Sequence, residues 1–156
     1  MAGDDAGGRQ PIETYRGAVY PWHCDHMGHM NVMWYVGKFD EATWNFFAHI
    51  GLTPSLLRGS ARGMAAVEQR IAYLNELHSG DTVAVRSGTL EVGAKFIKFF
   101  HEMRNSETGA VAAVTLLTAL HIDTEARKST PFPDDIAARA RRASADCALP
   151  WDSRAG

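Results

Sequence analysis

Cysteine is scarce in this 156-residue chain: Cys24 and Cys147 are its only two, and they lie far apart in sequence. That excludes a disulfide framework and offers no metal-ligand pair, so a reducing cytoplasm is the expected location. Long apolar runs are missing too. The longest nearly apolar stretch, 110–120, is about half the ~20 residues needed to cross a bilayer, and no membrane partner is expected. Nor is there an excess of one charge. The formal net charge is -2, and the densest basic group, Arg139, Arg141 and Arg142, reads as the solvated face of a terminal helix. Nucleic acid is therefore not an expected partner. There is no Gly-rich phosphate loop and no dinucleotide fingerprint. The opening MAGDDAGGRQP is acidic and Gly-rich without an apolar segment, which reads as a disordered leader over 1–11 and not as a secretory signal.

What is present is the composition of one globular domain, expected over 12–145 with a tail over 146–156. Ile12 to Tyr20 mixes β-branched and aromatic residues and stops at Pro21, which predicts a first strand. The polar loop WHCDHMGHMN follows. Val32, Tyr35, Val36, Phe39, Ala42, Thr43, Phe46 and Ile50 then recur at three and four residues, the period of a helix with one broad buried face. Asn31 stands where an N-cap belongs and Gly51 where a left-handed residue ends a helix. Gly37, inside that helix, predicts close packing by a strand or by an acyl chain.

From Gly63 the period changes to that of strands, with turn residues at 79–81, near Gly93 and at 106–109. Four strands are expected, near 64–77, 82–92, 95–105 and 110–123. The last is apolar on both alternating faces, so its second face requires a cover such as a second dimer. TEARKSTPFP predicts a loop, and 134–145 a short basic helix. One strand, one long helix and four strands make an α+β pattern in which an antiparallel sheet wraps a single helix.

Residues 22–42, WHCDHMGHMNVMWYVGKFDEA, resemble the signature of the 4-hydroxybenzoyl-CoA thioesterase family through Asp25, Gly28, His29, Asn31, Tyr35 and Asp40. Ile71-Ala72-Tyr73-Leu74, Gly80-Asp81, and Arg127-Lys128 with Pro131 and Pro133 extend the match over roughly 15–135. The resemblance implies a hotdog fold of five antiparallel strands around one long helix, and hydrolysis of an acyl-CoA thioester without a cofactor or metal. It implies Asp25 as the catalytic carboxylate, either general base or nucleophile, with the Val32 backbone N–H polarising the carbonyl at the positive end of the helix. His29 is expected to orient Asp25 or the substrate. Gly28 would let the loop backbone approach the substrate, while Asn31, Tyr35, Arg127 and Lys128 would contact it, and Arg58 and Arg62 are further candidates for CoA phosphates. The family closes its sites between two subunits, so a dimer or a tetramer is expected.

Other readings attach to the same residues. His23, His26 and His29 recur every third residue beside Cys24 and Asp25, a spacing that can hold zinc. Cys24 is a candidate nucleophile, and Asp40 and Glu41 fit the polar side of the helix. A hotdog hydratase or dehydratase would pair Asp and His five residues apart around an Asn-Pro; here His29 follows Asp25 by four and no Asn-Pro is present. A non-catalytic acyl-CoA binding module is the third possibility. Met27, Met30, Met33, Trp34 and Met64 suggest an adaptable apolar lining without naming the acyl group.

Overall fold

The computed structural model describes residues 9–151. Most of the expected leader and the end of the tail lie outside them. Six strands form one antiparallel sheet: β1 (Ile12–Ala18), β2 (Arg62–Tyr73), β3 (Thr82–Val92), β4 (Phe96–Asn105), β5 (Val111–Asp123) and the two-residue β6 (Lys128–Ser129). Their order is β1-β3-β4-β5-β2, with β6 paired to the end of β5 inside the expected loop. β1 and β2 are thus the two edges. Register shifts at 13/15, 66/68, 89/91 and 103/104 mark bulges, which sharpen strand twist and help the sheet curl.

The helix α1 (Val32–His49) lies against the concave face. Asn31 caps it, its Oδ1 accepting the Met33 N–H at 2.9 Å, and Gly51 ends it at φ +95°. Tyr35, Phe39, Ala42, Thr43, Phe46 and Ile50 are buried as the period predicted. Val32 and Val36 are not: they are 54% and 41% exposed, on the flank of α1 that faces edge strand β2. Lys38 departs the other way, buried at 4% exposure because its stem follows apolar surface to polar partners on β1. No strand packs closely on Gly37. A Cβ built there would meet only the Trp34 ring, at 3.9 Å.

Two core clusters sit along α1. Phe39 and Ala42 join Val83, Val85 and Met103 toward its start; Phe46 and Ile50 join Ile97, Phe99 and Ile136 toward its end. Ile136 belongs to α3 (Asp134–Arg142), which stops three residues short of the expected end. The short α2 (Pro54–Gly59) is an element the apolar period does not announce, although Thr53 Oγ1 caps it on the Leu56 N–H. The second strand ends at Tyr73, before 77, because Leu74 and Asn75 turn to bond the Ala112 carbonyl. On the convex face the second side of β5 is covered in part by the chain itself. The segment after α3 pairs with Thr89, sets Ala145 over Gly88 beside Phe100, and ends with Trp151 under the Arg70 guanidinium, 4.4 Å from its ring centroid.

Candidate active site

The loop from Cys24 to Asn31 is a tight reversal. Cys24 and Met30 form an isolated antiparallel bridge, the Asp25 N–H donates to the His29 carbonyl, and the Gly28 N–H returns to the Asp25 carbonyl. Gly28 adopts φ +89°, a conformation L side chains rarely take, yet a Cβ there would meet nothing within 4 Å. Backbone conformation, not crowding, calls for the glycine. The loop is anchored from outside by the Met30 N–H on the Leu77 carbonyl at 2.7 Å.

Within this frame Asp25 is held by two donors. The Met27 N–H bonds Oδ1 at 2.8 Å and the Asn31 side-chain amide bonds Oδ2 at 2.7 Å. These bonds, the Asn31 amide foremost, hold the carboxyl below its ordinary value, so Asp25 is ionised at neutral pH. Asn31 therefore does two jobs with one side chain: its nitrogen fixes the carboxylate and its oxygen caps α1. Val32 is the first helical residue, and its N–H precedes the first intrahelical donor. No acceptor meets it among the described residues, and it lies at the positive end of the helix dipole. A carboxylate and a free amide donor are thereby set beside each other by one asparagine.

Beside Val32 opens a cleft of about 200 Å³ lined by His29, Met30, Val32, Tyr35, Tyr73, Leu74, Asn75 and Glu76; Asp25 is not among its lining residues. The His29 ring points to Glu76, with Nε2 3.5 Å from Oε1, and makes no side-chain bond to Asp25. Tyr35 is a buried anchor, its ring edge-on to Tyr73 and its hydroxyl donating to the Asn75 carbonyl at 3.4 Å. Burial pushes its hydroxyl up to about 12. Tyr73 belongs to the segment 71–74 that extends the family resemblance, whereas Glu76 was not singled out from the sequence.

Arg127 and Lys128 are not brought to this place. Arg127 takes φ +56° in the β5–β6 turn, and both residues line a separate cavity of about 430 Å³ with Leu120, Ile122 and Asp123. Asp123 pairs with Arg62, the end of β2 opposite Tyr73; at ~3.3 Å per residue the two ends of β2 are about 36 Å apart.

The three loop histidines do not converge. His23 turns away, its Nδ1 accepting the Tyr20 N–H at 3.0 Å and its ring packed on Trp34. Among the described residues no three His, Cys, Asp or Glu side chains come close enough to hold a metal ion. The Cys24 thiol contacts the Tyr20 carbonyl at 3.9 Å. No helix of the described residues is long and apolar enough to cross a membrane.

Comparison with known proteins adds four matches. The family model described as the thioesterase-like superfamily matches residues 19–140. A betainyl-CoA thioesterase of Pseudomonas aeruginosa is 30% identical over 142 residues, covering 90% of this chain and 89% of that protein. Among solved structures, a hypothetical protein of Staphylococcus aureus in complex with CoA superposes with a TM-score of 0.81 at 20% identity, over 93% of this chain and 94% of that one. A 1,4-dihydroxy-2-naphthoyl-CoA thioesterase from Synechocystis gives 0.72 at 18% identity, over 81% and 93%.

Proposed function

The chain belongs to the thioesterase-like superfamily and is an acyl-CoA thioesterase, and on that premise we propose that Asp25 is its catalytic carboxylate. The observation that carries this reading is the Asn31 bridge, which fixes an ionised carboxylate next to the unpartnered Val32 N–H. The thioester carbonyl oxygen accepts from Val32, whose amide needs no reorganisation as negative charge develops there. Asp25 then either attacks the carbonyl carbon, giving an anhydride that water opens, or takes a proton from the attacking water. Both routes break the C–S bond and release CoA as its thiol together with the free acid.

Gly28 and Asn31 hold the loop that meets the thioester, Tyr35 supports the cleft, and His29, poised on Glu76, contacts the substrate more readily than it orients Asp25.

We place the working unit at a dimer through β2. This strand is an edge of twelve residues, and beside it the flank of α1 exposes Val32, Val36 and Trp44. Pairing β2 antiparallel with its copy would bring the partner's Arg62 end to the Tyr73 end of this chain. Arg127 and Lys128 would then serve the neighbouring site, where CoA phosphates need cations. The two free cysteines fit a reducing cytoplasm.

Release of free thiol from a panel of acyl-CoAs tests the reading, and betainyl-CoA belongs in the panel because the Pseudomonas aeruginosa relative is named for it. Thiol released from at least one member at a rate proportional to enzyme is expected. A change in enoyl absorbance without thiol would reassign the chain as a hydratase, and saturable binding without turnover would make it a binding module.

A further inference from the structure

On the other flank of α1, toward β1, lies a cavity of about 970 Å³ that the chemistry above does not use; neither Asp25 nor Val32 lines it. Its deep end holds Lys38, whose ammonium donates to the Tyr15 hydroxyl at 3.0 Å and the Ala18 carbonyl at 3.2 Å. Both acceptors are neutral, the ammonium also lies 5.2 Å from the Tyr15 ring centroid, and no ion pair to Lys38 forms among the described residues; its hydrogen bonds use two of three donors. A buried cation without a counter-charge is costly unless something anionic joins it. Glu41, one turn further along α1, also lines the cavity and is exposed, yet Lys38 turns inward and does not pair with it. Arg16 lines it too, but its charge is met by Glu13 in a two-pronged bond at 2.9 and 3.0 Å.

Lys38 and Glu41 share the cavity lining with aromatic rings. Tyr20 and Trp22 are stacked at 4.5 Å and 7°, although they are 49% and 65% exposed. Trp34 continues the wall through the His23 ring, at 4.6 Å. Gly37 completes it. A glycine inside a helix costs about 1 kcal/mol relative to alanine, and here no close neighbour requires one. What the missing side chain provides is room in the cavity.

We propose that this cavity is a second binding site, for a small zwitterion whose alkylated ammonium sits against Tyr20, Trp22 and Trp34 while its carboxylate meets Lys38. Aromatic faces attract such cations through the ring quadrupole, and Glu41 adds to the attraction from the open side. A purely structural Lys38, pinning α1 to β1, accounts for two of its donors. It leaves the exposed ring wall, the unpaired Glu41 and the glycine without a role.

Titration calorimetry on the full chain with glycine betaine tests the proposal, with acetate and tetramethylammonium as probes that carry one charge each. Saturable binding of glycine betaine is expected, about tenfold weaker in Trp22→Ala, weakened in Glu41→Gln, and lost in Gly37→Leu. Trp22 and Glu41 are exposed and Gly37→Leu favours helix, so these variants should keep the wild-type melting transition. No saturable heat up to about 10 mM would overturn the proposal. Equal binding of either single-charge probe would overturn the zwitterion, and binding lost in Asp25→Asn but unchanged in Trp22→Ala and Gly37→Leu would assign the ligand to the catalytic cleft.

Discussion

Asn31 is the residue on which helix and carboxylate both depend, and its removal should be felt in two separable ways. Asn31→Ala leaves α1 without its cap, at a cost of about 1 kcal/mol, measurable as a lower melting temperature. It also removes the first cause of Asp25's lowered pKa. A carboxylate with a lowered pKa stays ionised until the pH falls through that value. The acid limb of kcat/KM should therefore lie below the ordinary 3.8 in the wild type and move upward in Asn31→Ala. A limb that does not move would mean the limb does not report Asp25. At this scale Asn31 and Gly51 were legible, since cap residues carry their geometry in their side chains. Lys38 was not. A lysine letter on a helix reads as solvated, and only the distant Tyr15 and Ala18 reveal where its ammonium goes.

At the scale of elements, alternation and helical period placed α1 and the four long strands to within a few residues, because burial on one face imposes the period. α2 and β6 escaped because each is too short to show a period. The period also could not distinguish the covered stripe of α1 from the flank that bears Val32 and Val36. Apolar letters at helical spacing look the same whether the cover is this chain's sheet or another subunit. That flank is the element-scale test. Val36 is 41% exposed in the protomer, so Val36→Asp should fold normally while placing an unpaired charge in the proposed β2 interface. Light scattering should show a shift from dimer toward monomer at micromolar concentration, with kcat/KM falling as the partner's Arg127 and Lys128 are lost from the site. A wild-type protein that scatters as a monomer would remove the interface altogether.

For the whole molecule, a buried polar chain joins sheet and helix: Thr14 to Ser87, Ser87 to His101 Nδ1, and His101 Nε2 to Thr43 at 2.8 Å. Burial pushes His101 down to about 3 from 6.5. Between those values the unfolded chain takes up a proton that the folded one refuses, so His101 takes nothing from stability above pH 6.5 and lowers it progressively as pH falls toward 3. Melting temperatures across that window should fall with acid, and His101→Gln should flatten the dependence. The sequence did announce that β5 needs cover on both sides. It could not tell that the chain's own segment to Trp151 supplies part of it, which weakens the case for a tetramer and leaves that for the β2 dimer intact.

All of these scales meet at one oxygen pair. Asp25→Asn keeps the shape of the side chain and removes its charge, so kcat toward the best acyl-CoA should fall by at least ~100-fold while substrate binding changes far less. Turnover near the wild-type rate, with mass spectrometry showing that the amide has not reverted to Asp, would contradict the assignment of Asp25 as the catalytic carboxylate.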